Sequence, residues 1–217
     1  MTIYSLNLEI VQRSKDKSIV NVTASTAKEK LYDERLNKTF NYKKNSSCVL
    51  YKEILSPESL PLSINTRDKL WNHIERIEKR KDSQLARKFG IALPNEFNLE
   101  QNIKVSKEYA RNLFLKKGFV VDLCIFNTKE NSDPYLILLI TTRRIENGKF
   151  LQKGRTINNL KQLQIWREGW EIILNKHLKK NGYNNQKVSH KSLKNQGIDL
   201  LPQGIAYLTK DSTFFST

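Results

Sequence analysis

Apolar and polar side chains alternate along the first stretch of the chain: Tyr4, Leu6, Leu8 and Ile10 fall on one side, Ser5, Asn7 and Glu9 on the other. This period of two over residues 3–11 predicts a half-buried strand. A helix is expected to follow Ser18 through VNVTASTAKEKLYDE, although its β-branched residues weaken helix propensity. CVLYKEIL (48–55) reads as a second strand, closed by Ser56-Pro57. Over 65–82 the period changes to that of a helix, with Leu70, Trp71, Ile74 and Ile77 on one face and Asn65 or Thr66 placed to cap it. LARKFGIALP (85–94) predicts a strand ended by proline. Residues 98–117 predict an amphipathic helix carrying Ile103, Tyr109, Leu113 and Phe114, stopped by Gly118. Two apolar runs, 119–126 and 135–142, flank the polar connector NTKENSDP and read as strand, turn, strand. The last long helix is expected over NNLKQLQIWREGWEIILNKHLKKNG, with Leu160, Leu163, Trp166, Trp170, Ile173, Leu174 and Leu178 along one stripe. Strands and helices interleave, so the expected class is α+β, a central antiparallel sheet flanked by helices.

Composition narrows the class. A chain of 217 residues with 38% apolar and 28% charged side chains suits one soluble globular domain. No apolar run approaches the ~20 residues of a bilayer crossing, and the start lacks the basic-then-apolar order of a secretion signal. Two cysteines, Cys48 and Cys124, make neither a disulfide framework nor a zinc cluster. Reduced thiols in a cytoplasmic protein are expected. Charge adds a partner: 38 Lys and Arg against 22 Asp and Glu give +16, spread along the chain. A surplus of that size points to a polyanion, nucleic acid first, although lysine-rich composition also arises without any such partner.

Several segments then converge on one family. The opening MTIYSLNLEIVQRSKDKSIV, KLYDERLNKTFNY (30–42), LWNHIERIEKRKDSQLARKFGIALP (70–94), WREGW (166–170) and HKSLKNQGIDLLP (190–202) occur in order. Together they resemble the MobA/MobL relaxases, strand-nicking proteins of plasmid mobilisation and conjugation that include the amino-terminal part of TraA-type transfer proteins. The resemblance runs over residues 1–202 and leaves 203–217 as a C-terminal tail. It implies the relaxase fold, which is HUH endonuclease-like.

The resemblance also implies a chemistry. In that family a tyrosine near the amino terminus attacks a DNA phosphate and becomes joined to the 5′ end. A divalent cation on three histidines polarises the phosphate, and a carboxylate behind them orients the ligands. The matching positions here hold other residues. The paired histidines of the family's NPH-H--LTTR become Tyr135 and Ile137, and the histidine ending the preceding strand becomes Phe126. The carboxylate position is Gly90, and the nucleophile position is Ser25. The expectation is therefore a fold that keeps its shape without the Mg²⁺ or Mn²⁺ site, its cavity filled by Phe126, Tyr135 and Ile137 at roughly 1.5–3 kcal/mol each if fully buried.

Other sites compete with this one. Of the histidines present, His73 and His177 lie on helices, and His190 falls in a matched segment; none has ligand spacing to another. Tyr32, about two helical turns beyond Ser25, is the substitute nucleophile of an alternative reading, an active nicking enzyme with a displaced tyrosine. A third reading is a scaffold or gene remnant that binds a protein partner. For DNA contact the expected residues are Arg143 and Arg144 at a strand end, Arg13 after the first strand, and Lys79, Arg80 and Lys81 after a helix, since basic groups at element ends suit phosphates. Expected partners are single-stranded or transfer-origin DNA and other transfer proteins, with no membrane.

Overall fold

The computed structural model describes residues 4–13, 17–127, 134–153 and 160–191. The alternating start forms β1 (Leu6–Gln12), and Ser18 caps α1 (Ile19–Ala27) by accepting from the Asn21 amide. Next come β2 (Lys30–Asp33), β3 (Lys38–Asn41), β4 (Val49–Leu55) and α2 (Arg67–Ile77). After them follow β5 (Gln84–Ala92), α3 (Leu99–Leu113), β6 (Phe119–Asn127), β7 (Pro134–Glu146), β8 (Lys149–Phe150) and α4 (Leu160–Lys180). No helix among the described residues is long and apolar enough to cross a membrane.

Two expected helices are shorter than their patterns. The one after Ser18 ends at Ala27, where Lys28 turns left-handed at φ 51°, and residues 30–41 form a β2–β3 hairpin instead. Its turn is held by Asn37 at φ 49° and by Asp33, whose carboxylate accepts from the Leu36 amide at 2.9 Å. Helix α2 stops at Ile77 rather than continuing to residue 82, because EKRKD offers no apolar side chain to bury. Strand β7 runs past residue 142 to Glu146, so Arg143 and Arg144 lie within it rather than at its end, because β8 pairs with its last residues; β8 itself is not among the expected elements. Asn98 and Gln101 close a capping box at the start of α3, and Gly118 ends its last turn at φ 86°.

The main sheet runs β1-β5-β7-β6-β4, antiparallel at every join, with β8 on the far end of β7. β6 and β7 are apolar on both faces because both faces are covered. Leu136, Leu138 and Ile140 face α3 and α4, packing with Phe89, Tyr109, Trp166 and Trp170. Ile137 and Leu139 face α1 and α2, packing with Ile19, Val20, Leu70 and Trp71. The stripe of α4 is fixed by two tyrosine hydroxyls, Tyr109 donating to Trp166 O and Tyr4 to Arg167 O, each at 3.0 Å.

Candidate functional site

Antiparallel pairing brings the positions singled out in the sequence onto one face of the sheet. Asn7 lies opposite Gly90, Gly90 opposite Ile137, Ile137 opposite Cys124, and Cys124 opposite Lys52. In the adjoining row Ala92 faces Tyr135 and Tyr135 faces Phe126. Residues alternate in direction along a strand, so Asn7, Gly90, Ile137, Tyr135 and Phe126 share the side covered by α1 and α2. Ser25 sits on α1, above this same face.

The face is closed by fitted side chains. A Cβ on Gly90 would stand 2.2 Å from the Tyr135 hydroxyl and 3.1 Å from its ring carbon Cζ. The tyrosine therefore lies across β5 in the volume that any larger residue at 90 would take. Beyond Gly90 its hydroxyl is hydrogen-bonded to the side-chain amide of Asn7; burial pushes the phenol above its ordinary pKa, and the Asn7 contact opposes the rise. On the other side the Phe126 ring meets the Tyr135 ring edge-on at 5.7 Å. Ile137 is buried beneath α1 and α2. The side-chain donors that a divalent cation needs do not fit here: the only side-chain oxygen contributed by Phe126, Tyr135 and Ile137 is a phenol already bonded to Asn7. Among the described residues, no three His, Cys, Asp or Glu side chains gather so as to hold a metal ion.

The residues expected at a nucleophile's position are bonded within their own elements. Ser25 is buried, and its hydroxyl donates to Val22 O within its own helix at 2.9 Å. Tyr32 is on the β2–β3 hairpin, 47% exposed, its hydroxyl bonded to Asn37 Oδ1. The histidines stand in three separate places. His73 packs on Phe150 with ring centroids 5.6 Å apart, its pKa lowered by burial and by Arg76. His177 pairs with Glu108 at 2.8 Å, and His190 pairs with Glu171.

The expected DNA-binding residues gather at the other end of the sheet. Tyr135 and Arg143 are eight residues apart on β7, about 26 Å at the rise of a strand. Arg13 joins that far end, its amide donating to Ser83 O at 2.9 Å. Two of these cations are held internally by α2 and the residue after it. Glu75 accepts from Arg13 at 2.6 Å, from Arg35 at 3.0 Å and from the Ile19 amide at 3.0 Å. Glu78 accepts from Arg143 at 2.6 Å and from Lys153 at 2.8 Å. Lys79, Arg80, Lys81 and Arg144 are exposed; Arg80 pairs with Asp82 at 3.2 Å, and Arg144 lies over the Phe119 ring at 5.7 Å.

Sequence reasoning missed a buried charge network next to this face. Asp122 is fully buried, accepting from Arg67 Nε at 2.9 and 3.1 Å and from Trp71 Nε1 at 3.1 Å. Burial pushes the Asp122 carboxyl up, and the Arg67 guanidinium opposes that rise. Arg67 also reaches Glu29 at 3.0 Å, so the network ties α2, β6 and the end of α1 together. The signal was present: Asp122 is the single charge in the apolar run FVVDLCIF.

Comparison with known proteins decides the lineage. The family model described as MobA/MobL matches residues 17–206, most of the chain. This chain belongs to the MobA/MobL family. Among curated MobA/MobL-like relatives it is 30% identical to the conjugal transfer protein TraA of Agrobacterium fabrum, over 93% of this chain and 21% of TraA. It is 29% identical to the mobilization protein MobL of Acidithiobacillus ferridurans, over 63% of this chain and 35% of MobL. The chain thus spans about a fifth of the TraA relatives' length. A solved structure from work on the molecular basis of vancomycin resistance transfer in Staphylococcus aureus is similar at TM-score 0.78 and 33% identity, covering 88% of this chain and all of that one. The MobA/MobL resemblance in the sequence and the family assignment agree.

Proposed function

We propose that this MobA/MobL chain binds DNA in the DNA-processing step of plasmid mobilisation or conjugative transfer, working in the cytoplasm, and that it does not nick. The observation supporting the second half is the Tyr135 hydroxyl seated over Gly90, two positions at which the sequence resemblance expects a metal ligand and the carboxylate behind it. The first half is supported by relatives named for conjugal transfer and mobilization and by the charge of +16. Residues 1–202 act as one relaxase-like domain, and the DNA is single-stranded or transfer-origin DNA, with other transfer proteins as further partners.

Purified chain incubated with supercoiled plasmid and with single-stranded oligonucleotides, in Mg²⁺ or Mn²⁺, tests both halves. The expected result is binding that weakens steeply with salt and no strand cleavage. Calorimetric titration should show no micromolar affinity for Mn²⁺. Cleavage that disappears in Tyr32→Phe would instead establish an active enzyme with a displaced nucleophile. Absence of salt-dependent DNA binding would favour the scaffold reading.

A further inference from the structure

Beside the filled face, a second cleft opens at the same end of the sheet. It has a volume of about 420 Å³ and is lined by Leu50, Asn95, Phe97, Leu99, Asn102, Asn127 and Pro134. Asn127 ends β6 directly after Phe126, and its cross-strand partner Pro134 precedes Tyr135. The cleft therefore adjoins the position of the family's nicking centre.

Its chemistry is specific in two respects. Two acceptors in the wall have nothing to accept: Asn102 Oδ1 and Asn127 Oδ1 are both buried without a hydrogen-bond partner. Asn102 is 2% exposed, and its amide nitrogen donates to Pro94 O and Phe97 O at 3.3 Å each. Those two bonds set which end of the amide is nitrogen and leave the oxygen over. A buried acceptor without a donor costs about 1–3 kcal/mol, a cost that a ligand donor would remove. Of the remaining lining, Asn95 is polar and Leu50, Phe97, Leu99 and Pro134 are apolar, with Leu50 and Leu99 each 40% exposed at the rim. No lining residue is charged.

We infer that this cleft takes one unstacked nucleobase of a single strand, through an edge that carries an exocyclic amino group. The inference rests on the DNA-binding reading above. A phosphate is excluded by the uncharged walls and by the two acceptors, which would repel it. The neutral, flat, donor-bearing part of a nucleic acid is the base, and the apolar side chains of Leu50, Leu99 and Pro134 can lie against its faces. Cytosine, adenine and guanine present amino donors, whereas thymine presents only a ring imide donor. Both oxygens are closed to water, so a base reaches them only after a lining side chain changes rotamer.

The test is binding of a short oligodeoxycytidine against an oligothymidine of equal length, at matched salt in neutral buffer. The two have the same backbone charge and differ at the base edge, where cytosine carries the amino group and thymine a carbonyl, a ring N3 proton and a C5 methyl. The expected preference for oligodeoxycytidine is about tenfold. It should be lost in Asn127→Ala, which removes one acceptor, and in Leu99→Trp, which fills the cleft from its rim. The salt dependence should stay unchanged in both, because neither touches a cation. Equal binding of the two oligonucleotides, or a preference that survives both substitutions, overturns the cleft while DNA binding stands. No salt-dependent binding of either probe overturns the DNA-binding reading and this inference with it.

Discussion

A methyl group added at Gly90 would stand 2.2 Å from the Tyr135 hydroxyl, a separation that real Cβ atoms do not tolerate. The two positions are therefore one decision about a shared volume, not two independent departures from the family pattern. Gly90→Ala should destabilise the protein by about 1–3 kcal/mol through overpacking. The same substitution in a Tyr135→Ala background should be neutral or slightly stabilising, since Gly90 has no left-handed φ to protect and alanine restricts the unfolded chain. Urea unfolding of the four proteins in this cycle measures the coupling. An equal cost in both backgrounds would show that the ring does not occupy the space. The motifs drew attention to positions 90, 126, 135 and 137, which the sheet brings together on one face. That the Asn7 side-chain amide contacts the Tyr135 hydroxyl could not be read in advance, because in an alternating strand Asn7 reads as a solvent-facing residue. Burial of its face by α1 and α2 reverses that reading.

Elements were legible where a period was long and unbroken, as in α3 and α4, and illegible where short local bonds decided. The β2–β3 hairpin follows a helix through a single left-handed residue, Lys28, and such a break leaves little trace in apolar spacing. Helix α2 shows the same limit in another form. Its pattern gives Leu70, Trp71 and Ile74 to the core, but not the use of Glu75 and Glu78 as anchors for neighbouring elements. Glu78 joins the α2 exit to β7 through Arg143 and to the segment after β8 through Lys153. Burial would raise its carboxyl, but hydrogen bonds from Arg143 and Lys153 outweigh that and hold it below the ordinary value of about 4.3. A depressed carboxyl stabilises the fold above its unfolded pKa, and the contribution fades as pH falls below that value. Glu78→Gln should thus cost about 2 kcal/mol at neutral pH, a figure held down because Arg143 and Lys153 keep 21% and 32% of their side-chain exposure. Wild type and variant should converge in stability below about pH 4. A difference that persists unchanged in acid would mean that packing, not the charge, anchors α2.

Across the whole molecule the two functional expectations separate in space. The filled face and the cleft share the end of the sheet where β6 stops and β7 begins, while Lys79, Arg80 and Lys81 occupy the connection from α2 into β5 at the other end. Charge alone could not place them, since a surplus of +16 spread along the sequence looks the same whichever end it lines. The separation of about 26 Å along β7 sets a minimum reach for any ligand that meets both ends, equivalent to about eight base pairs of duplex at 3.4 Å each. A triple substitution of Lys79, Arg80 and Lys81 to alanine should therefore act through probe length. On long single strands it should reduce the slope of log affinity against log salt by about 2, for three cations each meeting one phosphate at ~0.7 per contact. On probes too short to span the molecule, bound at the cleft end, slope and affinity should be unchanged. An equal loss on short and long probes would place the bound strand at the α2–β5 end and move the DNA-binding surface away from the cleft. A loss on neither would assign Lys79, Arg80 and Lys81 to an ordinary solvated surface, leaving the basic residues nearer β4 and the hairpin, Lys43 and Lys44 among them, to carry the phosphate contacts.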